Sequence, residues 1–134
     1  MPDVLVDSNV ILDVVTEDPE WLDWSGSALE RAAAAARLVI NPIIYAEVSI
    51  GFVRIEDLDE ALPADYFERR PLPWPAAFLA ARCFLRYRRA GGGRSSPLPD
   101  FFIGAHAAIE HLTLLTRDAR RYRTYFPKLR LIAP

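Results

Sequence analysis

The chain has 134 residues, of which 51% are hydrophobic and 25% charged, and its formal net charge is −2. This composition is typical of a soluble globular protein, and the length suits one domain, residues 1–134, with an ordinary core. No apolar stretch reaches the ~20 residues that a membrane helix needs. Asp3 and Asp7 lie where a secretory signal would carry basic residues, and the single cysteine, Cys83, excludes an internal disulfide. We therefore expect a cytoplasmic protein.

The two parts of the chain carry opposite charge. Residues 1–80 contain 5 Arg or Lys and 15 Asp or Glu, whereas residues 81–134 contain 11 Arg or Lys and 3 Asp or Glu. A basic segment can attract phosphates even when the whole protein is not basic. The alternative is that basic helices pair with acidic ones, and charge alone favours neither interpretation.

The first half of the chain alternates between short apolar runs and helical stretches. Ser8 and Asn41 are suitable helix caps, and Pro42 suits the first position of a helix. Ala32 to Ala36 is a run of the strongest helix former. We predict, in order, a strand at 4–6, a helix at 8–15, a helix at 25–38, a strand at 38–40 and a helix at 42–50.

The second half continues the alternation with more proline and glycine. We predict a short acidic helix at 55–62, a stiff connector around the prolines at 71–75, a helix at 76–90, a flexible loop at 91–96, a helix at 100–111, a strand at 112–115 and an edge strand at 129–132. Strands that alternate with helices favour an α/β fold with a mainly parallel sheet. Right-handed crossovers then place all strand C-termini at one edge, where ligands bind in such sheets.

Four acids are expected near this edge. Asp7 ends the first strand, Glu47 lies on the helix after the second, Asp100 begins a helix, and Asp118 lies three residues past the 112–115 strand. Each has a local alternative. Asp7, Asp100 and Asp118 are possible helix caps, and Glu47 can pair with an arginine. A buried carboxylate without a partner is costly, however, and the apolar neighbours of Glu47 predict a buried helix.

Four acids at one place would repel each other strongly unless a cation lies between them. Oxygen ligands without a Cys or His cluster favour a hard ion, Mg²⁺ or Mn²⁺. Such an ion activates water and neutralises phosphate charge, which favours phosphodiester hydrolysis.

The segments around the four acids, in their order and spacing, resemble the motifs of PIN-domain nucleases. The tail at 121–127 is similar to that of a narrower group, the VapC-type toxins of bacterial type II toxin–antitoxin systems. The resemblance covers essentially the whole chain and is carried by Val4-Leu5-Val6-Asp7-Ser8-Asn9-Val10, Ile44-Tyr45-Ala46-Glu47-Val48, Pro99-Asp100-Phe101-Phe102-Ile103-Gly104-Ala105 and Leu115-Thr116-Arg117-Asp118.

This resemblance implies a three-layer α/β/α sandwich with a mainly parallel central sheet, and a metal-dependent endoribonuclease. It implies that Asp7, Glu47, Asp100 and Asp118 bind one or two Mg²⁺ or Mn²⁺ ions, and that metal-activated water attacks the RNA phosphate. It also implies a cognate antitoxin as partner and a homodimer. Competing hypotheses are a PIN nuclease that processes RNA without being a toxin, a non-catalytic protein-binding module, and a hydrolase of small phosphoesters.

Several further residues have two interpretations. Thr116 is expected to hydrogen-bond an acidic ligand or a water. Asn9 can have the same role or none, Arg117 can contact a phosphate or pair with an acid, and Ser8 is explained as a cap. The arginines at 86, 88, 89 and 94 either steer RNA or form a solvated helix end. His106 should face away from Asp100 and have a packing role. Packing roles are also expected for Gly104, Ala107, Trp21, Trp24 and Trp74, and surface positions for Asp3 and Asp13.

Overall fold

The computed structural model describes residues 2–92 and 98–134, and within them a central parallel sheet is packed between helices. The strands are β1 (Val4–Val6), β2 (Leu38–Ile40), β3 (Phe67–Arg69), β4 (Thr113–Leu115) and β5 (Leu131–Ile132). The helices are α1 (Ser8–Val15), α2 (Leu22–Ala35), α3 (Pro42–Ser49), α4 (Ile55–Ala61), α5 (Trp74–Arg89), α6 (Leu98–Ile109) and α7 (Arg120–Tyr125). The three-layer α/β/α fold is confirmed.

The strands lie side by side in the order β3-β2-β1-β4-β5, and all neighbours are parallel. β1 is central: Val4 pairs with Leu38 of β2 on one side and with Thr113 of β4 on the other. The chain therefore moves outward in one direction from β1 to β3 and in the opposite direction from β4 to β5. Such a reversal leaves a crevice between β1 and β4 at the carboxyl ends of the strands.

The core consists of the central strands and one face of each major helix. All three residues of β1 and all three of β4 are buried, as expected for strands covered on both faces. From α6, Phe101 and Ile103 are completely inaccessible and pack in the same core as Leu5 and Ile40. The packing of these strands in the core fixes the position of the residue that follows each strand.

Asn41 caps α3 as predicted, because its side-chain oxygen accepts a hydrogen bond from the Ile44 N–H at 2.9 Å. The prediction of a helix buried on nearly all sides is wrong, however. Within α3 only Ile44 and Val48 are buried, and Ile50, just after the helix, is 87% exposed. α3 is thus a half-buried helix that carries Glu47.

Some predicted boundaries differ from the observed ones. α2 begins at Leu22 and not at residue 25, and α5 begins at Trp74 because prolines are tolerated in the first turn of a helix. α6 begins at Leu98, two residues before Asp100. β3 was not predicted, since Phe67-Glu68-Arg69 at the sheet edge contains one apolar residue. In the predicted loop at 91–96, residues 93–96, which include Arg94, lie outside the described part of the chain.

Across residues 2–92 and 98–134, none of the helices combines the length and the apolar character required to cross a membrane.

Candidate functional site

Asp7 directly follows β1 and is buried, with 3% of its surface exposed. Its Oδ1 accepts a hydrogen bond from the Ser8 N–H at 2.8 Å, so Asp7, and not Ser8 as predicted, is the N-cap of α1. Its Oδ2 accepts hydrogen bonds from the hydroxyls of Thr116 at 2.8 Å and Tyr122 at 3.0 Å. A carboxylate offers about four lone pairs, so Asp7 caps a helix and still has acceptor capacity.

The pKa of Asp7 is raised from 3.8 to about 6, chiefly because burial disfavours the charged form. The negative charges of Asp100 and Glu47 act in the same direction. The hydrogen bonds from Thr116 and Tyr122 oppose the rise but do not cancel it. Asp7 is therefore a buried carboxylate whose charge the surrounding protein compensates incompletely.

Thr116, the residue after β4, is completely buried beside Asp7. Its Oγ1 accepts hydrogen bonds from Asn9 Nδ2 at 3.3 Å and from the Asp118 N–H at 3.2 Å, and its own proton is donated to Asp7. A hydroxyl has one donor and two acceptor positions, so this one is fully used. The expected contact of Thr116 with an acid is present, and Asn9 belongs to the same network.

Glu47 lies on α3 and is half-buried. Its Oε1 accepts a hydrogen bond from the Ser8 hydroxyl at 2.8 Å, so Ser8 contacts an acid of the site and does not cap its helix. Burial raises the pKa of Glu47 from its usual 4.5, and the charge of Asp100 adds to the rise. The alternative interpretation of Glu47, pairing with an arginine, is not observed among the described residues.

Asp100 lies in the first turn of α6 and is not its cap, because the helix begins at Leu98. Its Oδ2 accepts a hydrogen bond from Arg121 Nη1 at 2.7 Å, and 33% of the Asp100 side chain is exposed. Burial raises the pKa of Asp100, and the charge of Asp118 adds to the rise, whereas Arg121 and Tyr122 oppose it. Arg121 thus supplies a positive charge beside this carboxylate.

Asp118 lies in the loop between β4 and α7, and its side chain is 58% exposed. Its Oδ1 is 3.7 Å from Nε of Arg120, which is itself 91% exposed. The residue that precedes α7 is Ala119, and no side chain caps this helix. The alternative interpretation of Asp118 as a helix cap is therefore wrong.

The fold brings the four acids to the carboxyl end of the sheet, around the crevice between β1 and β4. The negative charges of Glu47 and Asp100 contribute to the raised pKa of Asp7, and the charge of Asp118 contributes to the raised pKa of Asp100. Within residues 2–92 and 98–134, however, no three side chains of His, Cys, Asp or Glu are grouped closely enough to hold a metal ion as they stand. The side chains of Asp7, Glu47 and Asp100 accept hydrogen bonds from neighbouring hydroxyls, from the Ser8 N–H and from Arg121 instead.

Tyr122 is a site residue that sequence reasoning did not identify. It is 2% exposed, its hydroxyl donates to Asp7, and burial together with the charge of Asp7 raises its pKa well above 10. The hydroxyl therefore stays protonated and acts as a donor. Its only sequence signal was its place in the 121–127 tail, where neither spacing nor periodicity distinguishes it from the other aromatic residues.

Asp13 is buried and not at the surface as predicted: it is 2% exposed and bonded to Arg117 Nε at 2.8 Å. Arg117, for which phosphate and acid partners were both open, thus pairs with an acid. Asp3 is half-buried and forms an ion pair with Arg70.

His106 has the expected packing role. It is inaccessible, and its Nδ1 lies 2.9 Å from Asn41 Nδ2. Its Nε2 is 3.2 Å from Glu110 Oε1, although the orientation is poor for a hydrogen bond. Burial lowers the pKa of His106, so the ring is neutral and structural.

The remaining predicted residues lie outside the acidic site. Trp21 and Trp24 pack edge to face, whereas Trp74 is 89% exposed. The arginines of α5 lie over aromatic rings: Arg86 over Tyr125 and Arg88 over Phe84. An alanine Cβ at position 104 would lie 2.4 Å from the Phe126 ring, so Gly104 admits the end of α7, and Ala107 is buried.

Solved structures with a similar fold include chains of several toxin–antitoxin complexes. The protein superposes on a chain of the VapBC2 complex of Rickettsia felis, solved bound to a promoter DNA fragment, with a TM-score of 0.74, 20% identity and 98% coverage of both chains. A chain of DNA-bound VapBC from Salmonella typhimurium gives a TM-score of 0.71 at 19% identity, with 99% of this chain and 98% of that chain covered. A chain of a toxin–antitoxin complex from Klebsiella pneumoniae gives a TM-score of 0.71 at 21% identity, with 97% of this chain and 96% of that chain covered. At these identities the likeness shows the fold alone.

A comparison with curated protein sequences gave no match. The sequence profile of the PIN domain matches residues 4–127, which include β1 and all four acids. PIN domains are nucleases, and the match covers most of the chain. The chain therefore belongs to the PIN domain family.

Proposed function

We propose that this protein is a metal-dependent endoribonuclease that acts as the toxin of a toxin–antitoxin pair. One observation carries the proposal: Asp7 is buried at the carboxyl end of β1, in the electric field of Glu47 and Asp100, and its pKa rises to about 6. A protein that needed Asp7 only as a helix cap would gain nothing from two further carboxylates beside it. Perturbed carboxyl groups in a crevice are typical of functional sites.

The donor set fits a hard divalent cation. Asp7, Glu47, Asp100 and Asp118 offer oxygen ligands, as Mg²⁺ and Mn²⁺ prefer. Asp7, Glu47 and Asp100 all have raised pKa values, chiefly because burial disfavours their charge and further because of neighbouring acids, and Arg121 only partly opposes the rise at Asp100. A cation among these carboxylates would stabilise their charged forms. We propose these four acids as the ligands, with some side chains rotating away from their present partners. A bound Mg²⁺ or Mn²⁺ supplies activated water and neutralises charge on the phosphate.

The other residues of the site have positioning roles in this proposal. Thr116 and Tyr122 both donate to Oδ2 of Asp7 and so hold its carboxylate in one orientation. Ser8 does the same for Glu47. The substrate is proposed to be RNA. The basic end of α5, with Arg86, Arg88 and Arg89 in its last turn, offers attraction to phosphates near the start of α6.

The toxin role has separate support. The structures with the same fold include a toxin–antitoxin complex from Klebsiella pneumoniae and the VapBC complexes. Exposed apolar side chains at the junction of α3 and α4, Ile50 at 87% and Val53 at 102%, offer contact area for another protein chain. We therefore propose a cognate antitoxin as partner and a homodimer as the assembly.

The test of this function starts from purified, chelator-treated protein. Titration with Mn²⁺ should give a binding isotherm and a rise in melting temperature. Single-stranded RNA should be cleaved with Mg²⁺ or Mn²⁺ and remain intact with chelator. A chromogenic phosphodiester serves as the control substrate and should be hydrolysed far more slowly. The absence of both Mn²⁺ binding and RNA cleavage would overturn the nuclease proposal, and preference for the chromogenic ester would indicate a general phosphoesterase.

Toxicity is tested independently. Expression should arrest growth, Asp7→Asn should relieve the arrest, and co-expression of the adjacent gene should also relieve it if that gene encodes the antitoxin. RNA cleavage in vitro without growth arrest would contradict the toxin role and leave an RNA-processing nuclease.

A further inference from the structure

A second polar network lies next to the four acids and is centred on the ion pair between the buried Asp13 and the partly exposed Arg117. Oδ2 of Asp13, on α1, accepts hydrogen bonds from Ser25 Oγ at 2.7 Å and from Arg117 Nε at 2.8 Å. Asp13 is 2% exposed and Ser25 is inaccessible. Asp13 is therefore a buried carboxylate whose charge is compensated by Arg117, and removal of Arg117 leaves that charge without a partner.

Arg117 is held on three sides. Its guanidinium bonds Asp13 and lies over the Trp21 ring, with Cζ 5.4 Å from the ring centroid. Its backbone N–H donates to Asn9 Oδ1 at 3.3 Å. Only 31% of its side chain is exposed. These contacts join the loop after β4 to α1 and to Trp21, just before α2.

The residues on either side of Arg117 belong to the proposed catalytic site. Thr116 donates to Asp7, and the Asp118 N–H donates to Thr116. Anchoring Arg117 therefore restrains the backbone that carries both neighbours. Asn9 reinforces this, because its Nδ2 bonds Thr116 while its Oδ1 bonds the Arg117 backbone.

Helix α1 connects the two networks. Asp7 caps its N-terminus, and Asp13 lies six residues later, about 9 Å along the axis. The same loop thus contacts both ends of α1: Thr116 bonds the cap residue Asp7 and the first-turn residue Asn9, and Arg117 bonds Asp13 near the other end. Contacts at both ends restrain the position and the orientation of the loop relative to Asp7.

We propose that Asp13 and Arg117 are positioning residues for the proposed nuclease reaction: their ion pair sets the loop that holds Thr116 against Asp7 and brings Asp118 to the site. The inference rests on the proposed function and adds to it two residues that bind neither the ion nor RNA. The competing role for Arg117 is direct contact with an RNA phosphate. Its Nε is already bonded to a buried carboxylate and its face covers Trp21, so the geometry favours positioning.

The test compares variants at the two ends of the ion pair. Arg117→Gln and Asp13→Asn should each lower kcat by about 10–100-fold, the usual loss when an orienting partner of a ligand is removed. KM for RNA should stay unchanged. The double variant should be no worse than the single ones, because both remove the same interaction. Arg117→Lys, which keeps the charge near Asp13, should recover part of the activity.

Ser25→Ala is the matched control. It removes the other hydrogen bond to the same Oδ2 and leaves the Arg117 contact in place, so it should lower the melting temperature without lowering kcat. A kcat loss in Ser25→Ala equal to that in Asp13→Asn would overturn the inference in favour of a purely structural pair. A raised KM with unchanged kcat in Arg117→Gln would overturn it in favour of phosphate contact.

Hydrogen exchange separates this inference from the proposed function. The Arg117 and Asp118 amides are hydrogen-bonded in the loop and should lose protection in Arg117→Gln and Asp13→Asn but keep it in Ser25→Ala. This measurement needs neither RNA nor metal, so failure of the nuclease proposal leaves it valid. Unchanged protection in both variants would overturn the role of the ion pair in holding the loop.

Discussion

Two groups of carboxylates in this molecule behave in opposite ways. At the carboxyl end of the sheet, Asp7 and Glu47 have raised pKa values, since burial disfavours their charge and neighbouring acids add repulsion. Near β3, Asp59 has a lowered pKa because Tyr45 and Arg69 donate hydrogen bonds to it. The pKa of Glu68 is also lowered, chiefly by a hydrogen bond from Arg70. The second group is neutralised within the protein, whereas the first is not.

The difference separates acids that are neutralised within the protein from acids that we propose as metal ligands. The Asp59 contacts, at 2.7 Å to Tyr45 and 3.0 Å to Arg69, tie α3, α4 and β3 together at the surface. Within residues 2–92 and 98–134, the hydrogen-bond partners of Asp7 and Glu47 are mostly hydroxyls, which carry no charge. Buried charges in proteins are usually paired or bound to a metal ion, and this is the basis of the cation site proposed for the first group.

The largest expected effect comes from Asp7→Asn. RNA cleavage should fall by about 10³-fold, the scale of loss when a charge-stabilising group leaves an active site. The fold should survive, because Asn caps a helix as well as Asp does and the repulsion from Glu47 and Asp100 disappears. Initial rates of cleavage and the melting temperature measure the two effects.

Asp59→Asn is the matched control from the neutralised group and should leave cleavage unchanged. Wild-type activity in Asp7→Asn, or equal losses in the two variants, would remove the distinction between the groups.

A smaller effect is expected at the contact that brings α7 to the site. Gly104 follows Asp100 by one turn on α6, and its missing Cβ makes room for Phe126 at the end of α7. Gly104→Ala should destabilise the protein by about 1–3 kcal/mol through overpacking and move Tyr122 away from Asp7. Chemical denaturation measures the change.

Gly26→Ala provides the comparison for this substitution. An added Cβ at Gly26 meets no atom within 4 Å, so this variant should gain about 0.5–1 kcal/mol from better helix propensity. Unaltered stability in Gly104→Ala would show that α7 does not depend on this close approach.

The smallest effect concerns the arginine beside the acids. Arg121 is bonded to Asp100 and competes with an added cation for it. Arg121→Gln should therefore tighten Mn²⁺ binding by about 5-fold, in line with the ~1 kcal/mol limit for partly exposed ion pairs. Isothermal titration measures the dissociation constant.

Arg120→Gln serves as its control. Arg120 is 91% exposed and lies 3.7 Å from Asp118, so its removal should leave Mn²⁺ affinity unchanged. Weaker Mn²⁺ binding in Arg121→Gln would mean that Arg121 favours binding of the cation and does not compete with it for Asp100.

Much of the fold follows from local patterns. β1 and β2 are continuous apolar runs, and β4 departs from this only at Thr113, as is typical of parallel strands buried on both faces. Asn41-Pro42 marks the start of α3, and its cap is observed. β3 escaped prediction because an edge strand with one apolar residue has no such pattern. The start of α2 was misplaced because no side chain caps it.

The positions of Asp7, Glu47, Asp100 and Asp118 relative to strands and helices were determined by the sequence, since a parallel sheet brings the ends of its strands to one edge. Their partners were decided by tertiary structure alone. Asp13 seemed a surface residue, yet it is buried against Arg117, 104 residues later in the chain. Ser8 seemed a cap, yet its hydroxyl reaches Glu47. Side-chain burial and hydrogen bonding depend on segments that are distant in sequence, and no local pattern records which distant segment will arrive.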